Sequence, residues 1–117
     1  MQEALLLAED VAKAINKSEI YGNYLKARKK IKEDKDLYNR IVEFKRCNLD
    51  YQEKLVNGEN ISFDEERNVS RKYYELKESD VAVDFFKSEH AMMKLMGKIY
   101  GILFTECKLE FDLEKFC

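Results

Sequence analysis

The segment Ile15-Asn-Lys-Ser-Glu-Ile-Tyr-Gly-Asn-Tyr-Leu-Lys-Ala27 decides the fold class, because it contains the end of one helix and the start of the next. Ser18 is placed to accept a hydrogen bond from the free amide of Tyr21, as serines at helix N-caps do. Glu19 then complements the positive end of the helix dipole. The predicted second helix has on one face the side chains of Tyr21, Tyr24, Leu25, Arg28 and Ile31.

The remainder of the chain follows the same pattern of helix and cap. Its 117 residues include no proline and four glycines, so long helices are expected. The first helix is predicted over about Gln2–Asn16, and the third runs from a cap at Asp34 to about Val56. A capping box, Ser62-Phe-Asp-Glu65, opens the fourth, and Ser79 or Asp80 opens a fifth that extends to Cys107. The predicted fold is an all-α, elongated bundle of about five helices.

Apolar residues recur at helical spacing in the first four helices. In the first helix they are Leu5, Ala8, Val11, Ala12 and Ile15. In the third they form a heptad-like seam with one polar member, comprising Leu37, Ile41, Phe44, Asn48, Tyr51 and Leu55. Asn48 either fixes the register of a partner helix or faces solvent at the edge of the bundle. The fourth helix has Phe63, Tyr73, Tyr74 and Leu76 as its apolar positions.

The fifth helix is apolar around most of its circumference, and such helices are buried on most sides. Four shorter helices are too few to cover it, so we predict a long, largely buried helix at the interface of a homo-oligomer. Its methionines fit a core or an adaptable contact surface. Gly97 and Gly101 indicate either a close helix neighbour or simple tolerance. The interface candidates are Met92, Met93, Met96, Tyr100 and Leu103.

Composition limits the class of protein. Charged residues make up 38% and hydrophobic residues 45%, with a net charge of −2, which is typical of one globular domain over residues 1–117 and not of a disordered chain. The amino end has no basic region before its apolar residues, and no apolar run approaches the roughly 20 residues that span a bilayer. We therefore expect a cytoplasmic protein without a transmembrane segment.

Residues 106–117 are expected to be a docking tail, either a short helix or an extended arm.

Few residues suggest chemistry. His90 is the single histidine, and nothing in the sequence pairs it with a nucleophile, so we interpret it as structural or surface-exposed. Cys47, Cys107 and Cys117 are too few for a four-cysteine site in one chain. Cys107 and Cys117 flank the tail and are the candidates for a metal or cluster site shared between chains, while packing is the alternative. No phosphate-binding glycine loop or paired-carboxylate motif occurs, and we predict that the protein is not an enzyme.

The strongest basic run is Lys26-Ala-Arg-Lys-Lys-Ile-Lys32. These cations could contact the phosphates of RNA. They also suit the last turns of a helix, where they complement the dipole, and acids follow at once. The second interpretation is preferred, so nucleic acid is not expected as the main partner.

Two blocks of residues resemble the YlbF/YmcA family of small helical bacterial proteins. The first block is Leu7-Ala8, Ala12, Ile15, the Ser18-x-x-Tyr21-x-x-Tyr24-x-x-Ala27 spacing, Asp34, Leu37 and Phe44. The second is Asp80, Phe85, Phe86, Glu89, Leu95 and Ile99. The resemblance implies a self-associating helical bundle without a catalytic site of its own.

The same resemblance implies a role in a regulatory complex that acts in competence, sporulation and biofilm formation, and in RNA processing through ribonuclease Y. It also implies a possible iron–sulfur cluster, for which Cys107 and Cys117 would be the ligands in this chain. Three hypotheses follow: a regulator or adaptor that acts through protein contacts, a cofactor-bearing redox or metal-sensing subunit, and an RNA-binding helical module.

Overall fold

Five α-helices follow one another in the computed structural model, which describes residues 1–108. They are α1 (Gln2–Asn16), α2 (Glu19–Glu33), α3 (Lys35–Val56), α4 (Phe63–Leu76) and α5 (Asp80–Glu106). No strand occurs over these 108 residues. The predicted all-α class and the helix count are confirmed. The predicted docking tail, residues 106–117, lies outside the described residues from residue 109 onward.

Side-chain caps set the starts of four helices, as the sequence predicts. The acceptors are Ser18 for α2, Asp34 for α3, Ser62 for α4 and Ser79 for α5, and each accepts from the amide three residues later at 3.1–3.2 Å. At the end of α3, Gly58 has a φ of +69°, the left-handed conformation that glycine adopts most readily. Local sequence therefore defines the helix boundaries.

Only half of the predicted capping box at Ser62 forms. The Ser62 hydroxyl accepts from the Glu65 amide, but the Glu65 carboxylate accepts two hydrogen bonds from Lys54 Nζ, at 2.9 and 3.0 Å. The carboxylate prefers a cation on α3 because a charge-assisted hydrogen bond is stronger than one to a neutral amide. Glu65 thus connects α4 to α3.

The core is small and lies where the carboxyl ends of α2 and α4 meet the amino ends of α3 and α5. Tyr24, Phe44, Val81 and Phe86 pack against it while partly exposed. Its buried residues are Ala27, Ile31, Leu37, Ile41, Leu76, Ala82 and Phe85. α1 contributes none of them. Four helices therefore share one core, and the first helix lies outside it.

Several predicted apolar faces are less buried than the sequence indicates. On α2 the buried positions are Ala27 and Ile31, whereas Leu25 is exposed. The α3 seam is buried only at its start, and Leu55 at its end is exposed; Asn48, between them, is half-buried. Phe63 and Tyr74 of α4 are about two-thirds exposed. These faces are open because α3 and α4 pair with each other and have no third helix over their far ends.

The molecule is elongated, as predicted. Its radius of gyration is 18.2 Å and its extents are 47 × 40 × 18 Å, whereas a compact domain of this length would have a radius of gyration of about 13 Å. The smallest extent corresponds to about two layers of helices, because the axes of packed helices lie about 8–10 Å apart. A molecule this thin leaves one side of most helices without a neighbour. No helix within residues 1–108 is long and apolar enough to cross a membrane.

Candidate interaction surface

The two halves of α5 have different surroundings. The first half packs along α2 and contains the buried residues Ala82 and Phe85. The Phe85 ring lies 6.0 Å from the Tyr24 ring of α2 and 6.0 Å from the Phe86 ring, centroid to centroid. α2 and α5 run antiparallel, because Ile31 near the end of α2 is clustered with Ala82 near the start of α5. Ile20, at the start of α2, lines a groove together with Ala91, farther along α5. The second half of α5 therefore extends beyond the amino end of α2.

The second half of α5 carries the predicted interface residues. Met92 is half-buried, and the exposed members are Met93, Met96, Tyr100 and Leu103, at 47–68% exposure. Steps of three, four and three residues place these four on one helix face, which we call the α5 face. The fifth helix was predicted to be largely buried. Within one chain this is true only of the first half of α5, because no other helix among the described residues covers the α5 face.

Gly97 and Gly101 lie beside the α5 face. A Cβ atom added to either glycine would meet no atom within 4 Å. The close helix neighbour that the sequence suggests is therefore not supplied by the described residues of this chain. At 100° per residue, the two glycines separate the α5 face from Lys94 and Lys98.

α1 is a second exposed apolar element, although it was not predicted to be a contact surface. Its apolar residues form the expected stripe, and Ile15 is the one residue of α1 that is not exposed. The most exposed large side chains are Leu5, Leu6 and Leu7, at 57–60%. The run LLLA at the start of the chain was the available signal, because it gives α1 more apolar surface than one narrow stripe requires. We call the surface formed by Ala4, Leu5, Leu7, Ala8, Val11, Ala12 and Ile15 the α1 face.

A cationic groove of about 390 Å³ separates α2 from the first half of α5. Its lining consists of Ile20, Asn23, Lys26, Ala27, Lys30, Asp84, Lys87, Ser88 and Ala91. The three lysines form no ion pair with any residue in the described part of the chain. The predicted basic run therefore contributes Lys26 and Lys30 to a concave positive surface.

Ion pairs are concentrated elsewhere, on α3 and its neighbours. Lys54 pairs with Glu65 across the α3–α4 contact at 2.9 Å, and Lys45 pairs with Glu89 of α5. The hydrogen bond to Glu65 raises the pKa of Lys54 above its ordinary value. Within α3, the Arg46 guanidinium lowers the pKa of Glu43 through a hydrogen bond. The Lys54–Glu65 and Lys45–Glu89 pairs connect helices, and the ion pairs do not cluster around one site.

The candidate metal and catalytic residues do not come together within residues 1–108. His90 is exposed. Cys107 is exposed at the end of α5, and Cys47 is half-buried on α3 with its thiol 3.5 Å from Glu43 Oε1. No group of three or more potential ligands is assembled in this part of the chain. A single exposed cysteine, Cys107, does not make up a four-cysteine cluster site. Cys117 lies outside the described residues, so the shared cluster remains a prediction.

Comparison with known proteins identifies the family. Residues 5–107 match the sequence model described as "Control of competence regulator ComK, YlbF/YmcA". The chain belongs to the YlbF/YmcA family. The match covers nearly all of the described chain, from α1 to the end of α5, and it confirms the resemblance stated from the sequence. The family description links these proteins to the control of a regulator and names no reaction.

Two further proteins are similar to this YlbF/YmcA chain. A UPF0342 protein of Caldicellulosiruptor saccharolyticus is 20% identical over 103 residues, which are 88% of this chain and 86% of that protein. A protein of unknown function (DUF964) from Bacillus stearothermophilus has a similar structure, with a TM-score of 0.75. That likeness covers 88% of this chain and 90% of the other, at 18% sequence identity. It therefore shows a shared helical fold.

Proposed function

We propose that this YlbF/YmcA chain is a regulatory protein without catalytic activity that binds other proteins, including a second copy of itself, through the α5 face. The observation that carries the proposal is the exposure of Met93, Met96, Tyr100 and Leu103 on one side of a helix. Contiguous apolar surface of this kind is typical of protein–protein contacts. Methionine adapts its shape to different partners, which suits a contact surface.

Sedimentation velocity of the purified full chain tests self-association. We expect a dimer or a larger species at micromolar concentration. Met96→Glu places a charge in the middle of the α5 face and should dissociate the assembly, because an unpaired charge buried in an apolar contact is costly. Val56→Glu is the matched control, since Val56 is also exposed and apolar but lies on α3. A folded wild-type monomer at this concentration would contradict the proposal.

The finer part of the proposal concerns the other partners. The family resemblance supports a complex that regulates ribonuclease Y and thereby RNA processing, competence, sporulation or biofilm formation. Affinity capture from the native cell, followed by mass spectrometry, should recover the members of that complex with the wild type and with Val56→Glu. Met96→Glu should lose them. Equal recovery with Met96→Glu would show that the α5 face is not the contact for these partners.

A second candidate function is RNA binding at the cationic groove. It is favoured by one observation, the three lysines without ion-pair partners at Lys26, Lys30 and Lys87. Fluorescence anisotropy with single-stranded RNA should then show binding that weakens as salt increases, because phosphate contacts release counterions. Replacing all three lysines by glutamine should abolish it, while Lys29→Gln outside the groove should not. No binding at low salt would eliminate this function.

A further inference from the structure

We infer that α1 of one copy covers the second half of α5 of another copy, and that the second copy's α1 does the same in return. The inference rests on the proposed function, because it takes the α5 face as a contact surface, and it specifies the element that occupies it. In one chain neither face covers the other, and both remain exposed. A reciprocal exchange would cover both faces with one closed, two-fold interface.

The junction between α1 and α2 prevents α1 from folding back onto its own α5 face. Only Lys17 and Ser18 lie between the two helices. The Lys17 amide donates to the carbonyls of Lys13 and Ala14 at 3.2 Å, and the Ser18 amide and hydroxyl donate to the Ile15 carbonyl at 2.9 and 2.6 Å. These hydrogen bonds fix the direction of α1, so its apolar face is available to another molecule.

The two elements match in length. α1 has 15 residues, and the part of α5 from Met92 to Glu106 also has 15. Each is therefore about 22 Å long at 1.5 Å per residue. A helix laid along the α5 face would therefore span the exposed half of α5 from one end to the other.

The two faces are complementary in the size of their side chains. The α1 face has a row of small residues, Ala4, Ala8 and Ala12, among its larger aliphatic side chains. The α5 face presents the larger Met96 and Tyr100. Large side chains that face small ones interdigitate, whereas two α5 faces placed together would set large side chains against each other. The open space above Gly97 and Gly101 lets a second helix approach closely.

The two elements carry opposite net charges. α1 has Glu3, Glu9 and Asp10 against one lysine, Lys13. The second half of α5 has Lys94 and Lys98 against Glu106. These side chains point away from the α1 face and the α5 face, so they form no contact across the exchange and favour it only through long-range attraction, which salt screens.

The available area suits a stable dimer. Seven large side chains on the two faces are about half exposed: Leu5, Leu7, Val11, Met93, Met96, Tyr100 and Leu103. At half exposure each leaves on the order of 100 Å² accessible, which gives about 700 Å² per copy. Stable interfaces of standard size bury about 800 Å² per partner. The two faces together come close to that size, and either face alone would fall well below it.

Cross-linking between two different variants tests the exchange. In a chain with Cys47, Cys107 and Cys117 replaced by serine, one variant carries Ala8→Cys and the other Met96→Cys, near the middle of each element, where parallel and antiparallel packing differ least. The two are co-expressed with different tags and treated with a short bis-maleimide. We expect the cross-linked dimer in the mixture and little in either variant alone. A strong cross-link in Ala8→Cys alone or Met96→Cys alone would overturn the inference.

A charge exchange in the native chain provides a second measurement that does not depend on the cysteine background. The α1 reversal Glu9→Lys/Asp10→Lys and the α5 reversal Lys94→Glu/Lys98→Glu should each raise the dimer dissociation constant about threefold at low salt, through the loss of long-range attraction, and should have no effect at high salt. The combined variant should return to the wild-type dissociation constant at low salt. If the combined variant binds more weakly than either reversal alone, by the sum of their effects, the exchange is contradicted. A dimer that fails these tests would leave the proposed function standing, whereas a wild-type monomer would remove both.

Discussion

At the scale of single residues, Leu76 is the large side chain that is most completely buried among the described residues. It is 1% exposed at the end of α4, where it packs among α2, α3 and α5. Leu76→Ala should lower the free energy of unfolding by about 2–5 kcal/mol, because it removes buried methyl groups and leaves a cavity. Leu49→Ala, at an exposed site on α3, should change it by no more than about 0.5 kcal/mol. Urea unfolding at one protein concentration measures both, and equal effects would contradict the assigned core.

Ser18 connects two helices through one hydroxyl group. Its Oγ accepts from the Tyr21 amide at 3.2 Å and donates to the Ile15 carbonyl at 2.6 Å. Ser18→Ala should therefore destabilise the protein by about 1 kcal/mol. Ser18→Asp should recover part of the loss, because aspartate can accept from the amide but cannot donate to the carbonyl. Ser70→Ala, on the exposed side of α4, is the matched control, and urea unfolding should show no significant effect there.

At the scale of elements, substitution of Gly97 tests whether a second helix packs closely against α5. Gly97→Ala should raise helix stability by up to about 1 kcal/mol, because alanine has the higher helix propensity and no described atom is close enough to clash. It should also weaken the dimer, because the added methyl group hinders the close approach of a second helix. Gly22→Ala on α2 should stabilise without affecting association. Circular dichroism and sedimentation together test this, and a dimer unaffected by Gly97→Ala would argue against close packing there.

The ion pair between Lys54 of α3 and Glu65 of α4 should contribute less to stability at alkaline pH. Its pKa is raised in the folded protein by the hydrogen bond to Glu65. A raised pKa means that the pair's contribution is complete below the ordinary value of 10.5 and is lost as the pH rises through the higher folded value. The difference in stability between wild type and Lys54→Gln should therefore shrink above pH 10.5. The effect should be small, because both side chains are partly exposed. Lys32→Gln, at a lysine that forms no ion pair within residues 1–108, is the control variant measured alongside Lys54→Gln.

At the scale of the whole molecule, the open shape predicts that stability increases with association. A chain 18 Å thick with a radius of gyration of 18.2 Å leaves α1 and half of α5 without cover. If a second copy covers them, binding favours the folded state by mass action. The melting temperature should then rise by a few degrees for each tenfold increase in protein concentration. Met96→Glu should melt at a temperature that does not vary with concentration, and an invariant wild type would contradict an assembly of this kind.

The sequence by itself determined the helices and their boundaries. Ser18, Asp34, Ser62 and Ser79 cap their helices, and Gly58 ends α3, through hydrogen bonds that span only three to five residues. Such local interactions are present in the pattern of residue types, so they can be predicted from it. The same local pattern at Ser18, Tyr21 and Tyr24 also indicated the family. The α5 face could be predicted as well, because the apolar surface of that helix exceeds what one short chain can cover.

Tertiary structure alone decided which apolar faces are covered. Periodicity gives the direction of a face but does not reveal whether another helix lies opposite it. Ile31 and Leu25 are both apolar residues of α2, yet one is buried and the other is exposed. For the same reason α1 was predicted as an ordinary amphipathic helix, and its isolation from the core was not foreseen. The ion pair that diverts Glu65 from its capping box also joins residues of two helices, and contacts of that kind depend on how the helices are arranged in space.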